Sequence, residues 1–131
     1  MGGVIRGFEE RDFDAVVALG QGDKRNRYGA AVFVRQFVAL YPWTFLIADS
    51  DETVVGYTVG AGVHDDAATV KVLRLSVGRH YQGKSIGTDL ISRLLSELAT
   101  RHVRRVFLSV APDTIPAKKI YDRLGFVKVI H

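Results

Sequence analysis

Apolar residues recur in two rhythms along this chain, and their order predicts its elements. Alternation marks strands; spacing of three and four marks amphipathic helices. Val4, Ile5 and Phe8 predict a short first strand over 4–8. Asp12 is placed to cap a helix through Val16, Val17 and Leu19, which Gly20 and Gly22 can end. Residues 23–29 are polar and basic. Phe33, Phe37 and Leu40 share one face of a second helix over 30–41, and Pro42 stops it. Three strands follow at 44–48, 54–63 and 69–77, separated by polar turns at 49–52 and 64–66. Connections this short make an antiparallel meander. The polar loop 78–85 leads into a long helix from Ile86 to about Arg101. Its Ile86, Leu90, Ile91, Leu94, Leu95 and Leu98 form one stripe. A strand over 106–110, a loop over 111–115, a helix opened by Pro116 and closed by Gly125, and a strand over 126–130 complete the order. The series β-α-α-β-β-β-α-β-α-β predicts one mixed α/β domain. Its central sheet is mostly antiparallel and carries helices on both faces.

Composition narrows the class. The chain has 131 residues, 47% apolar and 24% charged, which fits one globular domain and excludes disorder, collagen and coiled coil. It has no cysteine, so a disulfide scaffold, a thiolate metal site and a cysteine nucleophile are excluded. No H-x-x-x-H pair is present, and no metal is expected. No apolar run is long enough to span a membrane, and the N-terminus has no long apolar stretch of a signal peptide. The expectation is a cytoplasmic protein without a membrane partner. Net charge is +4, but residues 1–70 sum to −4 and residues 71–131 to +8. A basic second half suits an anionic ligand, although a solvated basic face would give the same asymmetry. No nucleic-acid recognition motif accompanies it, so nucleic acid is not expected.

The loop Gly78-Arg79-His80-Tyr81-Gln82-Gly83-Lys84-Ser85 fits the phosphate-loop pattern of nucleotide triphosphatases at every position. Its context disagrees. Such loops follow the first strand of a parallel sheet and need a magnesium-binding Asp at the end of a second apolar strand. Here the loop follows a meander, and the strand at 106–110 runs into Ala111 and Pro112. The other reading is pyrophosphate held at a helix N-terminus without catalytic magnesium. Gly83 and Gly87 would let backbone approach the ligand, Ser85 would cap the helix, and Gln82, Lys84 and Thr88 would add donors.

Leu75–Gly87 resembles the acetyl-CoA signature of the GNAT N-acetyltransferases, with Gln82-Gly83-Lys84-Ser85-Ile86-Gly87 in place of their Q/R-x-x-G-x-G/A loop. Ala117–Phe126 resembles their second signature, A-x-x-L-Y-x-x-L-G-F. The resemblance covers almost the whole chain and implies the GNAT-like acyl-CoA N-acyltransferase fold. It implies acetyl-CoA as co-substrate, an amine on a small molecule or a protein as acceptor, and direct attack in a ternary complex. It assigns cofactor binding to Leu75, Ser76, Val77, Gln82, Gly83, Lys84, Ser85, Ile86, Gly87 and Thr88. Backbone groups of Leu75 and Val77 would bond the pantetheine arm where the strand splays from its neighbour, and the Val77 N–H would polarise the thioester carbonyl. Tyr121 takes the proton-donor position. On an apolar stripe with Ala117, Ile120 and Leu124, it also reads as core.

The chain departs from the family pattern at several points. Ser85 stands where the loop usually has glycine, Arg79 where proline is usual, and Thr114 where asparagine is usual. The strand positions that often carry a carboxylate base hold Arg74 and Ser109, leaving His64, Asp65 and Asp66 as base candidates. Lys24, Arg25, Arg27, Tyr28, Phe33, Phe37, Tyr41 and Trp43 are the acceptor-side candidates. One strand after Phe126, where relatives add another, implies an acceptor site that is open or completed by a second subunit of a homodimer.

Overall fold

The computed structural model describes residues 3–19, 27–108, 119 and 121–127, with the side chain of Arg27 excepted. Five strands form one sheet in the order β1-β2-β3-β4-β5. They are β1 (Gly3–Gly7), β2 (Phe45–Ser50), β3 (Thr53–Val63), β4 (Asp66–Val77) and β5 (Arg105–Leu108). The first three pairings are antiparallel and β4–β5 is parallel. The helices are α1 (Phe13–Leu19), α2 (Arg27–Leu40) and α3 (Ile86–Thr100).

Alternation along the strands sends their side chains to two separate cores. Leu46, Ala48, Val70 and Val72 pack with Leu90, Ile91, Leu94 and Leu98 of α3 on one face. Phe45, Ile47, Tyr57 and Val59 pack with Val16 and Val17 of α1 and Val34 of α2 on the other. Leu90, Ile91 and Leu94 are fully buried, each contributing about 2 kcal/mol of apolar transfer. The architecture is therefore a mixed, mostly antiparallel sheet with helices on both faces, as the apolar pattern predicts.

Three register shifts interrupt the ladders, and two of them bear on the site. Ala48 pairs with Gly56 and Asp49 with Val54, so Val55 has no partner on β2 and joins the α3-side core. Gly56 then faces α3. A Cβ there would meet the Ser76 carbonyl at 2.9 Å and Leu90 Cδ1 at 3.2 Å, so the glycine lets the start of α3 lie close to the sheet. On β4, Val59 pairs with Arg74 and Gly60 with Val72, which leaves Leu73 as the extra residue.

Several boundaries differ from the sequence pattern. β2 continues to Ser50 because Asp49 and Ser50 pair with Val4 and Gly3. The turn is then only Asp51 and Glu52, at φ 51° and 67°. β4 starts at Asp66 rather than residue 69, since Asp66 already pairs with Val63. Pro42–Thr44 forms a 3₁₀ turn, so β2 begins at Phe45; buried Thr44 donates its hydroxyl to the Gly60 carbonyl, with the Tyr41 carbonyl 3.2 Å from the same oxygen. α2 begins three residues before the predicted start, at Arg27.

Asp12 does not act as the simple cap of α1. It closes a 3₁₀ turn, Glu10–Asp12, and its carboxylate accepts the Glu9 N–H at 2.8 Å. Arg6 of β1 grips the same carboxylate at 2.8 and 2.9 Å and reaches Asp49 of β2 at 3.0 and 3.1 Å. Burial alone would push the Asp12 carboxyl up. The Arg6 hydrogen bonds, the Glu9 N–H and the charges of Arg6 and Arg11 together bring it below the usual carboxylate value. Among the described residues, no helix is long and apolar enough to cross a membrane. Gly20, Gly22, the end of the predicted strand at 106–110, the loop at 111–115, Pro116 and the residues 128–130 of the last predicted strand lie outside the described residues.

Candidate active site

The site lies along the second half of β4, after the Leu73 bulge. Among the described residues, β5 pairs with β4 only over Thr69–Val72, just before the Leu73 bulge. From there to Val77, β4 keeps β3 on one side and has no described strand on the other. The Gly78 N–H donates to the Val55 carbonyl at 2.8 Å, which sets the phase of the antiparallel ladder. Gly56↔Val77 and Thr58↔Leu75 are then the pairs that exchange no bonds. Leu75 and Val77 thus turn their N–H and C=O groups toward the open side. Ser76, between them, turns its backbone toward Tyr57, and its hydroxyl donates to the Leu19 carbonyl at 3.2 Å.

The loop after β4 folds against this edge. Arg79–Tyr81 form a 3₁₀ turn, closed by the Tyr81 N–H on the Gly78 carbonyl at 2.9 Å. Tyr81 packs beside the α3-side core. Gln82 Nε2 donates to the Val77 carbonyl at 3.1 Å, and Lys84 Nζ lies 5.7 Å from the Tyr81 ring centre. Gly83 has φ +81°, with nothing within 4 Å of a would-be Cβ. α3 then starts at Ile86, so the N–H groups of Ile86, Gly87 and Thr88 point out of its first turn without intrahelical partners. The positive end of the helix dipole adds to them.

Ser85 does not cap α3 with its side chain. Its backbone sits in the left-handed region (φ 67°, ψ 11°), where the hydroxyl makes no capping bond; its carbonyl accepts the Asp89 N–H at 2.9 Å. A non-glycine residue there carries a conformational cost of about 1 kcal/mol. Ser85→Gly is therefore expected to raise the thermal midpoint by a few degrees, by calorimetry or circular dichroism, despite the greater chain entropy of glycine.

Tyr121 reaches the same core from the second signature. It is 8% exposed and packs in the α3-side cluster, which Leu75 and Val77 also border. Its helical turn ends in a Schellman motif: the Phe126 N–H bonds the Tyr121 carbonyl at 3.1 Å and the Gly125 N–H bonds the Asp122 carbonyl at 3.2 Å. Gly125 supplies the required positive φ, +92°. The Phe126 ring meets Tyr121 edge-on, 5.7 Å between centroids. The string Tyr121-x-x-x-Gly125-Phe126 is thus a helix stop that clamps the tyrosine. Burial raises the pKa of its hydroxyl, so it stays protonated at neutral pH.

The base candidates lie elsewhere. The turn 64–66 is at the end of β4 remote from Val77. His64 and Asp65 are exposed and pair with each other at 3.2 Å. Asp66 accepts the Thr69 hydroxyl at 2.7 Å, the Ala68 N–H at 3.1 Å and Arg105 Nη2 at 3.3 Å. The Thr69 hydrogen bond outweighs a smaller burial effect and, with Ala68 and Arg105, holds its pKa below the usual carboxylate value. Asp66 fastens the turn to β5 and is poorly placed to take a proton at the open edge. Among the described residues, no group of three His, Asp or Glu could hold a metal.

Of the acceptor-side candidates, Phe37 and Tyr41 border the α2-side core, and Phe33 is 48% exposed on the outer part of α2. Tyr28 is exposed, and Trp43 lies under Arg101, 4.2 Å from ring centre to guanidinium carbon. Lys24 and Arg25 lie outside the described residues, as does the Arg27 side chain. The sequence pattern missed the Arg6–Asp12–Asp49 clasp and gave no hint of where Arg74 points.

Comparison with known proteins agrees with this geometry. The model of the acetyltransferase (GNAT) family matches residues 14–126. An uncharacterized N-acetyltransferase of Methanocaldococcus jannaschii is 27% identical over 94% of this chain and 77% of that protein. Mouse N-acetylaspartate synthetase is 37% identical over 63% of this chain, a stretch that is 27% of the synthetase. A protein of Bacillus subtilis subsp. natto named "Probable spermine N(1)-acetyltransferase" is 35% identical over 40% of this chain and 36% of its own length. The structure superposes on Ard1 from Thermoplasma volcanium with a TM-score of 0.87 at 24% identity, over 99% of this chain and 86% of that one. It also superposes on YncA from Salmonella typhimurium, solved with acetyl-CoA, with a TM-score of 0.78 at 18% identity, over 97% and 80% of the two chains. Loop, strand edge and clamped tyrosine thus stand in the order and fold of one enzyme class, and the chain belongs to the GNAT acetyltransferase family.

Proposed function

We propose that this protein moves an acetyl group from acetyl-CoA to a primary amine by direct attack within a ternary complex. The observation that carries the reading is the edge that β4 turns away from β3. Leu75 and Val77 present strand-like donors and acceptors there, beside the free N–H groups that start α3, and Tyr121 borders the same core. These residues fit acetyl-CoA. The edge suits the amides of a pantetheine arm, and the left-handed Gly83 with the first turn of α3 suits a pyrophosphate. Gln82, Gly83, Lys84, Ser85, Ile86, Gly87 and Thr88 would hold the phosphates, and Leu75 and Val77 the arm. Ser76, whose polar groups are already bonded, would contribute only contact. Acetyl-CoA supplies the activated acetyl thioester. With the phosphates at the Val77 end, the far end of the arm reaches Leu75. The Leu75 N–H, rather than that of Val77, is then the fixed donor nearest the carbonyl. Tyr121 holds a proton for the departing sulfur. His64, Asp65 and Asp66 lie at the other end of β4, so in this reading the amine loses its proton to solvent.

Thermal unfolding with added ligand tests this reading. Acetyl-CoA at 100 times its Kd should stabilise the fold by about 2.7 kcal/mol, and Mg-ATP should do nothing. A shift with Mg-ATP alone would restore the triphosphatase reading, which the antiparallel β3–β4 pairing argues against. The remoteness of His64, Asp65 and Asp66 from Val77 favours one second reading, a domain that binds CoA without turnover. Acetylation of any amine in a broad panel dismisses it.

A further inference from the structure

We infer that Arg74 selects the acceptor, and that this acceptor is a small amine carrying a carboxylate, such as an amino acid or diamino acid. The inference rests on the acetyltransferase reading and deepens it. Arg74 precedes Leu75 on β4, immediately after the Leu73 bulge. It pairs with Val59, so its side chain leaves the sheet on the face of α1 and α2. Its guanidinium carbon lies 5.9 Å from the Phe33 ring centre. Its charge also lies near the buried Tyr57 hydroxyl, where it opposes the upward push of burial on that group.

The surroundings on this face are basic and half apolar. Val70 and Val72 pack toward α3, so Lys71 and its partner Phe107 on β5 turn the other way. Phe107 is 42% exposed and Phe33 48%. Arg6, Arg11, Arg35, Arg93 and Arg105 each have a carboxylate partner, whereas Arg74 and Lys71 have none among the described residues. An unpaired guanidinium steadied over an aromatic ring is a preformed fork for a carboxylate. In an amino acid, amine and carboxylate are about one residue apart. An amine at the Leu75 N–H therefore brings its carboxylate within reach of the side chain one position back. The same charge repels a polyamine, which would bring a second ammonium to this spot.

The test uses matched amines, with CoA release as the readout and acetyl-CoA binding measured separately by thermal shift. The pairs are 2,4-diaminobutyrate against 1,3-diaminopropane, and alanine against ethylamine. The wild-type enzyme is expected to prefer the carboxylate-bearing member of a pair. Arg74→Gln should raise KM for that member about 10- to 100-fold and leave acetyl-CoA affinity unchanged. Arg74→Lys should fall between, and Arg74→Glu should turn the preference toward the diamine. Equal or better use of the amine without carboxylate overturns the inference. So does Arg74→Gln with unchanged selectivity, or acetylation confined to polyamines or peptides. Absence of acetyl-CoA binding in the wild type would instead overturn the acetyltransferase reading itself.

Discussion

Tyr121→Phe is expected to lower kcat by roughly 10²–10⁴-fold while leaving the fold and acetyl-CoA affinity intact. The substitution removes only the hydroxyl. The ring keeps its edge-on contact with Phe126 and its place among the α3-side residues, so unfolding should barely change. Burial holds the hydroxyl above its ordinary value of 10. The donor therefore remains protonated below that pH, and a falling limb of kcat owed to its ionisation belongs above it. That limb should vanish in the phenylalanine variant. Steady-state rates across pH, with acetyl-CoA binding measured in parallel, check both points. Unchanged turnover with the true acceptor would return Tyr121 to the core.

Arg6→Met should be the most damaging substitution to stability, at about 3 kcal/mol or more, read by denaturant unfolding. The loss comes less from the missing arginine than from Asp12. At 2% exposure, that carboxylate would stay buried without the guanidinium that now bonds both of its oxygens. The pH dependence has a definite sign. In the wild type Asp12 is held below its ordinary carboxylate value, so its contribution is complete above about pH 4 and fades as pH falls through the lowered pKa. In the variant, burial acts without Arg6 and pushes the carboxyl up. The gap between the two proteins should therefore narrow in acid, where Asp12 is neutral in both. Adding Asp12→Leu to Arg6→Met should recover much of the loss, because an apolar pair needs no partner there.

What the sequence made legible was local. The stripe Leu90, Ile91, Leu94, Leu98 and the turns at Asp51 and Asp65 announce themselves within a few residues, and α3, β2, β3 and β4 all form around those signals, with β2 and β4 longer than predicted. The phosphate loop was legible as a motif but ambiguous as chemistry. The antiparallel β3–β4 pairing, which argues against the triphosphatase reading, involves residues up to 21 positions apart. The errors at strand ends have the same origin. Asp49 and Ser50 look like a turn until β1, more than forty residues earlier, pairs with them. Asp12 reads as a helix cap because Ser, Thr, Asp and Asn there usually are. Its actual partner, Arg6, sits on a different element and is shared with Asp49, 43 residues away. Bulges are the hardest case. Nothing in Val-Leu-Arg-Leu says that Leu73 is the extra residue, and that one insertion decides which way Arg74 and Leu75 point.

The same bulge bears on the solubility of the protein without ligand. Strand edges left bare are where separate molecules stick together, since any extended chain can complete the ladder. Natural sheets blunt such edges by twisting them with an extra residue and by placing a charge along them. The stretch Leu73–Val77 has both, in Leu73 and Arg74. If this stretch takes a slender, non-peptide arm as proposed, the same irregularity would make it a poor template for a flat neighbouring strand.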